Sequence, residues 1–167
     1  LLNLLRSDFE KPDTNVRIVK DTIPYDTLGH YRRYYFRDAT VIYNTVSNQK
    51  NYIQLNRGSK QGVKDNMAVI SADGYPVGIV VNVSDNFSEA MSLLHVQNTV
   101  NASLKKSGDF GTLQWNGKDP RYLTLKNIPK SADVKKGDTV LTSTYSYNFP
   151  PGYMIGTVAD ISVDNVT

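Results

Sequence analysis

Val77-Gly78-Ile79-Val80-Val81-Asn82-Val83 sets Val77, Ile79, Val81 and Val83 on one face of an extended chain, because successive side chains of a strand point to opposite sides. This is the longest apolar stretch, but Gly78 and Asn82 interrupt it, and a membrane span needs roughly 20 apolar residues. The same period of two recurs on either side of it from Ala39 onward. Ile53 and Leu55 alternate with Tyr52, Gln54 and Asn56, and Val100, Ala102 and Leu104 with Asn101, Ser103 and Lys105. Leu123 and Leu125 alternate with Tyr122, Thr124 and Lys126, while Ile155, Thr157, Ala159, Ile161 and Val163 share a further face. Each run is short and ends in Gly, Pro, Asn, Asp or Ser, the punctuation of strands and turns. Such alternation buries one face of an antiparallel sheet and leaves the other wet. About ten strands of this kind, with no helical pattern between them, predict an all-β protein built as sandwiches or small closed barrels. A single small barrel would leave strands over, so two small β-barrel domains are expected.

The chain has 167 residues, 40% hydrophobic and 21% charged, a globular composition with room for one ordinary domain or two small ones. Nineteen Lys and Arg against sixteen Asp and Glu leave a net charge of +3, too mild for a clustered nucleic-acid-binding stripe. The absence of cysteine excludes a disulfide framework, a Cys nucleophile and a thiolate zinc site. With His30 and His95 as the only histidines, no metal site and no cofactor are expected. No dinucleotide fingerprint, phosphate-binding P-loop, zincin helix, EF-hand loop or nucleophile elbow occurs. Gly58 and Gly62 have a phosphate-loop spacing, but no helix-forming segment follows to aim an N-terminus at an anion. The sharpest catalytic candidate is His95, since a pair of small barrels can host a Ser-His-Asp triad. No glycine-flanked serine accompanies it, and a hydrogen-bonded histidine at the rim of a strand is the simpler reading. Asp109, Asp119, Asp133 and Asp138 all fall in turns, where carboxylates bond their own backbone.

Before Ala39 the pattern changes. Leu2, Leu5 and Phe9 are spaced three and then four apart, one face of a helix over residues 1–11. That stripe suits the C-terminal end of a self-associating coiled coil, or packing against a domain. The chain opens in what reads as mid-helix, as expected of a fragment whose targeting or anchoring segment lies upstream. Residues 12–37, broken by Pro12, Asp13 and Pro24, carry no clear period and read as an extended linker. Within them, Tyr31-Arg32-Arg33-Tyr34-Tyr35-Phe36-Arg37 interleaves aromatics with arginine. Three readings fit it: rings packed on a neighbouring barrel, a protein interface, or a base-stacking surface. Mixed charge elsewhere and the lack of an RNA-recognition motif count against nucleic acid. Tyr34, Tyr35 and Phe149 are large aromatics beside loops without an alternating core position, and are the expected partner-binding residues.

The turns carry the most information. Asn51-Tyr52-Ile53-Gln54-Leu55-Asn56-Arg57-Gly58-Ser59-Lys60-Gln61-Gly62-Val63 precedes Met67-Ala68-Val69-Ile70-Ser71, Gly74 and Val77-Gly78-Ile79-Val80. Gly111-Thr112-Leu113-Gln114-Trp115-Asn116-Gly117 and Ile128-Pro129 follow. Then come Gly137-Asp138-Thr139-Val140-Leu141-Thr142-Ser143, Phe149-Pro150 with Gly152, and Ile155-Gly156-Thr157-Val158. In order and spacing these segments resemble the rod shape-determining MreC family, most of all its Bacteroidetes-type forms, over about residues 39–163. Gly58, Gly62, Gly137, Asp138, Pro150, Gly152 and Gly156 are the structural turn positions of the resemblance. The chain departs from the pattern at Thr144, where the family carries Gly after the Thr-Ser pair; a positive φ there would strain Thr.

The resemblance implies two small barrels, one like a chymotrypsin-type barrel without its catalytic residues, preceded by the end of a coiled-coil helix. It implies that the second barrel, residues 66–128, is inserted into the first, residues 38–65 plus 129–167. It further implies a non-enzymatic scaffold of the cell-elongation machinery on the periplasmic side of the bacterial inner membrane. The membrane would be reached only through a single upstream helix. The implied partners are further copies of the chain, the elongation transpeptidase (a class B penicillin-binding protein), MreD, RodA and MreB. Two rival functions remain open on the residues alone: a secreted chymotrypsin-like barrel protease, and an oligonucleotide- or saccharide-binding β-barrel.

Overall fold

The computed structural model describes residues 16–24 and 26–162, so Leu2, Leu5, Phe9, the expected helix over 1–11, and Val163 lie outside the described residues. The described chain is all-β. Its strands are β1 (Val16–Pro24), β2 (Tyr31–Arg37), β3 (Val41–Asn44), β4 (Tyr52–Leu55), β5 (Ala68–Ile70), β6 (Pro76–Val83), β7 (Ser88–Ser92), β8 (Thr99–Leu104), β9 (Phe110–Gln114), β10 (Thr124–Lys126), β11 (Thr139–Thr142) and β12 (Met154–Thr157). They form a two-stranded sheet β1-β2 and two five-stranded sheets, ordered β3-β4-β7-β6-β5 and β10-β9-β8-β11-β12.

The alternation read from the sequence drives both large sheets. In β4, Ile53 and Leu55 turn inward and join Val80 and Ala90 in the core of the first sheet, with Val63, Met67, Val69, Val77 and Val83 packed around them. In β8, Val100, Ala102 and Leu104 turn inward and meet Leu113, Val140 and Phe149 in the core of the second. Ala68, Ile70, Ile79 and Leu93 of the first sheet and its exit pack against that second core, so the sheets share apolar contact.

The opening stretch departs from its simple reading. Val80 is 2% exposed and lies in the core, whereas Val77, Ile79, Val81 and Val83 are half-buried. The β5–β6 ladder slips between Val69 and Ile70, and the β6–β7 ladder slips between Val80 and Asn82. Each irregularity breaks the strict period, so β6 feeds both cores: Val77, Val80 and Val83 face the first, Ile79 the second.

The segment expected as a linker over 12–37 contains a hairpin instead. β1 and β2 pair antiparallel from Val16↔Arg37 to Lys20↔Arg33, and again at Pro24↔Tyr31. The strands were hidden because neither face is apolar throughout: rings and arginines alternate, not apolar with polar residues. Strand pairing also groups the chain differently from the expected division into 38–65 plus 129–167 and 66–128. β3 and β4 pair with β7 in one sheet, and β11 pairs with β8 in the other, so the boundary between sheets falls between β7 and β8.

That crossing is held by polar groups. The buried Asn51 donates from Nδ2 to the carbonyls of Asn48 and Leu94, each at 2.6 Å. Asn98 donates to the carbonyls of Met91 and Ser92 at 3.2 and 2.9 Å. Among the described residues, Asn66 and Asn127 are the non-glycine residues with positive φ; Thr144 is not one of them, so its replacement of the family glycine imposes no left-handed strain.

Candidate functional site

The β1–β2 register sorts the hairpin into two faces. Arg17 lies opposite Phe36 and Val19 opposite Tyr34 on one; Val16 opposite Arg37, Ile18 opposite Tyr35 and Lys20 opposite Arg33 on the other. The first face turns toward the body of the protein: the Phe36 ring lies 6.4 Å from the Tyr153 ring, centroid to centroid, and the Arg17 guanidinium sits 5.0 Å from the Phe36 ring centroid. The Tyr34 hydroxyl reaches the Asp21 carboxylate at 3.5 Å, and its ring is half-buried. The second face is open. Ile18 and Tyr35 are each 58% exposed, and the Lys20 ammonium sits 4.1 Å over the Tyr31 ring. Apolar surface, aromatic rings and cations thus lie side by side, the composition of a protein interface.

The hairpin is closed by Asp26, whose carboxylate accepts from the backbone N–H groups of Leu28 and His30 at 3.0 and 2.9 Å. These bonds, the His30 N–H foremost, hold the Asp26 carboxyl below the usual range.

Where β2 runs into β3, the chain borders a groove of about 660 Å³ in the first sheet, floored by Ile53, Leu55 and Val80. Arg37 and Arg57 stand among its lining residues, with Asp38 and Asn148. A Cβ built on Gly62 would come within 2.7 Å of the Arg37 guanidinium carbon, so the glycine lets that side chain lie flat on the loop. Arg57 Nη1 donates to the Asn56 carbonyl at 3.0 Å.

The three expected partner-binding residues therefore separate. Tyr35 is exposed on the open hairpin face, and Tyr34 is half-buried on the opposite one. Phe149 is 3% exposed, inside the second core, and does not present its ring to a partner. The reason is the elbow that carries it: Thr142 Oγ1 donates to the Pro150 carbonyl at 2.6 Å, pulling the loop down over the sheet. Sequence reasoning missed the exposed edge strand β3, because Val41, Ile42 and Tyr43 form a run too short to show a period.

His95, the catalytic candidate, is fully buried. Its Nδ1 accepts from the Gln97 N–H at 3.1 Å, which leaves the proton on Nε2, 3.2 Å from the Tyr52 hydroxyl. A triad base needs Nδ1–H facing a carboxylate and Nε2 facing a nucleophile, and here those atoms are committed otherwise. Burial, then the Lys50 charge, pulls the imidazole pKa below its ordinary value and keeps the ring neutral.

Two curled antiparallel sheets, each with its own core and in apolar contact, a polar-locked crossing and an aromatic-cationic hairpin define a β-module that offers surface for binding. A family model, rod shape-determining protein MreC, barrel core, matches residues 41–167, and the chain belongs to that family. The cell shape-determining protein MreC of Listeria monocytogenes is 31% identical over 144 residues, 84% of this chain and 48% of that protein. The chain thus spans about half the length of that curated relative. The solved MreC structure from Listeria monocytogenes superposes with a TM-score of 0.69 at 24% identity, covering 98% of this chain and 71% of that one. A complex between the penicillin-binding protein PBP2 and MreC from Helicobacter pylori also shares the fold, with a TM-score of 0.58 at 16% identity over 90% of this chain and 82% of that one.

Proposed function

We propose that this chain is the extracytoplasmic binding module of a shape-determining scaffold, non-enzymatic, which captures the transpeptidase of the elongation machinery. The observation that carries the reading is the open hairpin face, where Ile18 and Tyr35 stand more than half exposed beside Lys20 and Arg33. Tyr and Arg are both among the residue types enriched at interface hot spots. The existence of a PBP2 complex for a protein of the same fold supports a penicillin-binding protein as the partner. A neutral, doubly bonded His95 supports a binding role over hydrolysis. In the wider reading the module self-associates, sits on the periplasmic side of the inner membrane behind an upstream helix, and works beside MreD, RodA and MreB.

The test is capture of the transpeptidase's periplasmic domain by this chain, with sedimentation run alongside for self-assembly. Wild type binds, and Tyr35→Ala loses at least tenfold in affinity with an unchanged unfolding temperature. Equal capture by both proteins, or no capture by wild type, refutes the reading.

A further inference from the structure

The first five-stranded sheet is curled but not closed. β3 and β5 are its two edges, and neither has a strand on its outer side among the described residues. Both edges line the same 660 Å³ groove, β3 through Val41 and Asn44 and β5 through Ala68, Val69 and Ile70. That volume lies within the roughly 300–1,000 Å³ of ordinary ligand sites. Its floor is apolar and belongs to the sheet's own core.

Two further observations point to what fills it. Val41, Ile42 and Tyr43 are 52%, 50% and 59% exposed, so β3 is an uncovered apolar edge of the kind that soluble proteins normally blunt or use for strand addition. Arg37 also lines the groove; its Nε is buried without a hydrogen-bond partner, and among the described residues no carboxylate pairs with its guanidinium. A guanidinium partly stripped of water and without a carboxylate partner favours an acidic group in the groove that it lines. Asp38 also lines the groove, so the acceptor must be offered to Arg37 locally, not drawn in by a uniformly positive wall.

We propose that the seam between β3 and β5 receives an extended segment of a partner protein as an added strand, with alternate apolar side chains on the floor and one carboxylate on Arg37. Backbone hydrogen bonds to the β3 edge supply the general affinity, and the carboxylate sets the register. The proposal deepens the scaffold reading by naming the surface and the chemistry of the captured segment, and it rests on that reading for the partner's identity alone.

The probe is a terminally blocked synthetic peptide of sequence Val-Thr-Val-Thr-Glu-Thr-Val, whose Glu shares the face of its valines, titrated calorimetrically into the chain beside its Glu-to-Gln counterpart and dodecanoate. The acidic peptide is expected to bind saturably, and the neutral one about tenfold or more weaker. Arg37→Gln should erase the difference between the two peptides. Ile42→Lys, a charge placed on an already exposed edge position, should abolish both while the unfolding temperature holds. Equal affinity for the two peptides, no binding of either, saturable binding of dodecanoate alone, or self-association that Ile42→Lys removes without any peptide binding would each overturn the proposal. Capture of the transpeptidase domain, measured in parallel, separates the two claims. If wild type captures it but binds no peptide, the seam assignment fails and the scaffold reading stands. If the peptide binds and the transpeptidase does not, the scaffold reading fails and the seam stands.

Discussion

The His95 imidazole meets the Tyr52 ring edge to face, with centroids 5.1 Å apart and its Nε2 3.2 Å from the Tyr52 hydroxyl. The pair ties the crossing between the two sheets to β4 of the first. Because Nδ1 is occupied by the Gln97 N–H, protonating the ring would put a second donor against a donor.

This arrangement makes stability depend on pH in a stated direction. The folded-state pKa of His95 lies below its ordinary 6.5, so below that pH the unfolded chain binds more protons than the folded one. His95 therefore contributes stability that is present above pH 6.5 and falls away as the pH drops below it. Thermal unfolding followed from pH 7.5 to 5 should show a declining midpoint, and His95→Gln should flatten that slope. A slope unchanged in His95→Gln would assign the effect elsewhere.

Phe149 and Tyr35 were read alike from the sequence and occupy opposite environments. Phe149→Ala empties a site in the second core and should cost on the order of 3–5 kcal/mol. Tyr35→Ala removes a ring that is 58% exposed, and its effect on stability should stay within about 0.5 kcal/mol. Urea unfolding of the two variants measures both, and a comparable loss in each would contradict the placement of the rings.

The glycines of the family turns also divide by cause. Gly58 has extended backbone, φ −137°, yet a Cβ there would lie 2.2 Å from the Ser84 carbonyl oxygen and 2.6 Å from the Phe87 nitrogen. Gly156 meets nothing within 4 Å and has no positive φ. Gly58→Ala should therefore lose roughly 1–3 kcal/mol through overpacking against backbone, while Gly156→Ala should be near neutral. Equal effects in chemical denaturation would show that the close approach is not what requires Gly58.

Strands were legible where one face is apolar throughout. Ile53 and Leu55, and Val100, Ala102 and Leu104, stand inward as their spacing predicts. The hairpin was not legible because Tyr31, Arg33, Tyr35 and Arg37 alternate with Arg32, Tyr34 and Phe36, leaving no apolar period to detect. Pairing partners are a tertiary property: no feature of Tyr52–Leu55 announces that it lies beside Ser88–Ser92 and not beside Thr139–Thr142. The irregularities in β6 shift inward residues by one position, which a period of two cannot foresee. Arg37 was visible as part of an aromatic-arginine tract, but its buried Nε depends on Gly62, a loop residue 25 positions later, lying beneath it.

Asp119 and Arg121 form a turn whose titration is measurable in isolation. Arg121 Nη2 donates to Asp119 Oδ2 at 2.7 Å, Nε to Oδ1 at 3.0 Å, and the Arg121 backbone N–H also reaches Oδ1 at 3.0 Å. The side-chain bonds from Arg121 lower the Asp119 pKa from 3.8 to about 2. A depressed carboxylate contributes stability that is present above the unfolded value and lost as the pH falls through the folded one, so this contribution disappears between about pH 4 and pH 2. The same residue's carbonyl accepts from the buried Trp115 indole at 2.9 Å, which couples the turn to a large ring. NMR titration of the Asp119 carboxyl carbon should give a midpoint near 2 in wild type, moving back toward 3.8 in Arg121→Gln, with the Trp115 indole N–H resonance shifting over the same range. A midpoint that stays put in Arg121→Gln would mean that the guanidinium does not hold the carboxylate, and that the backbone bonds of the turn do.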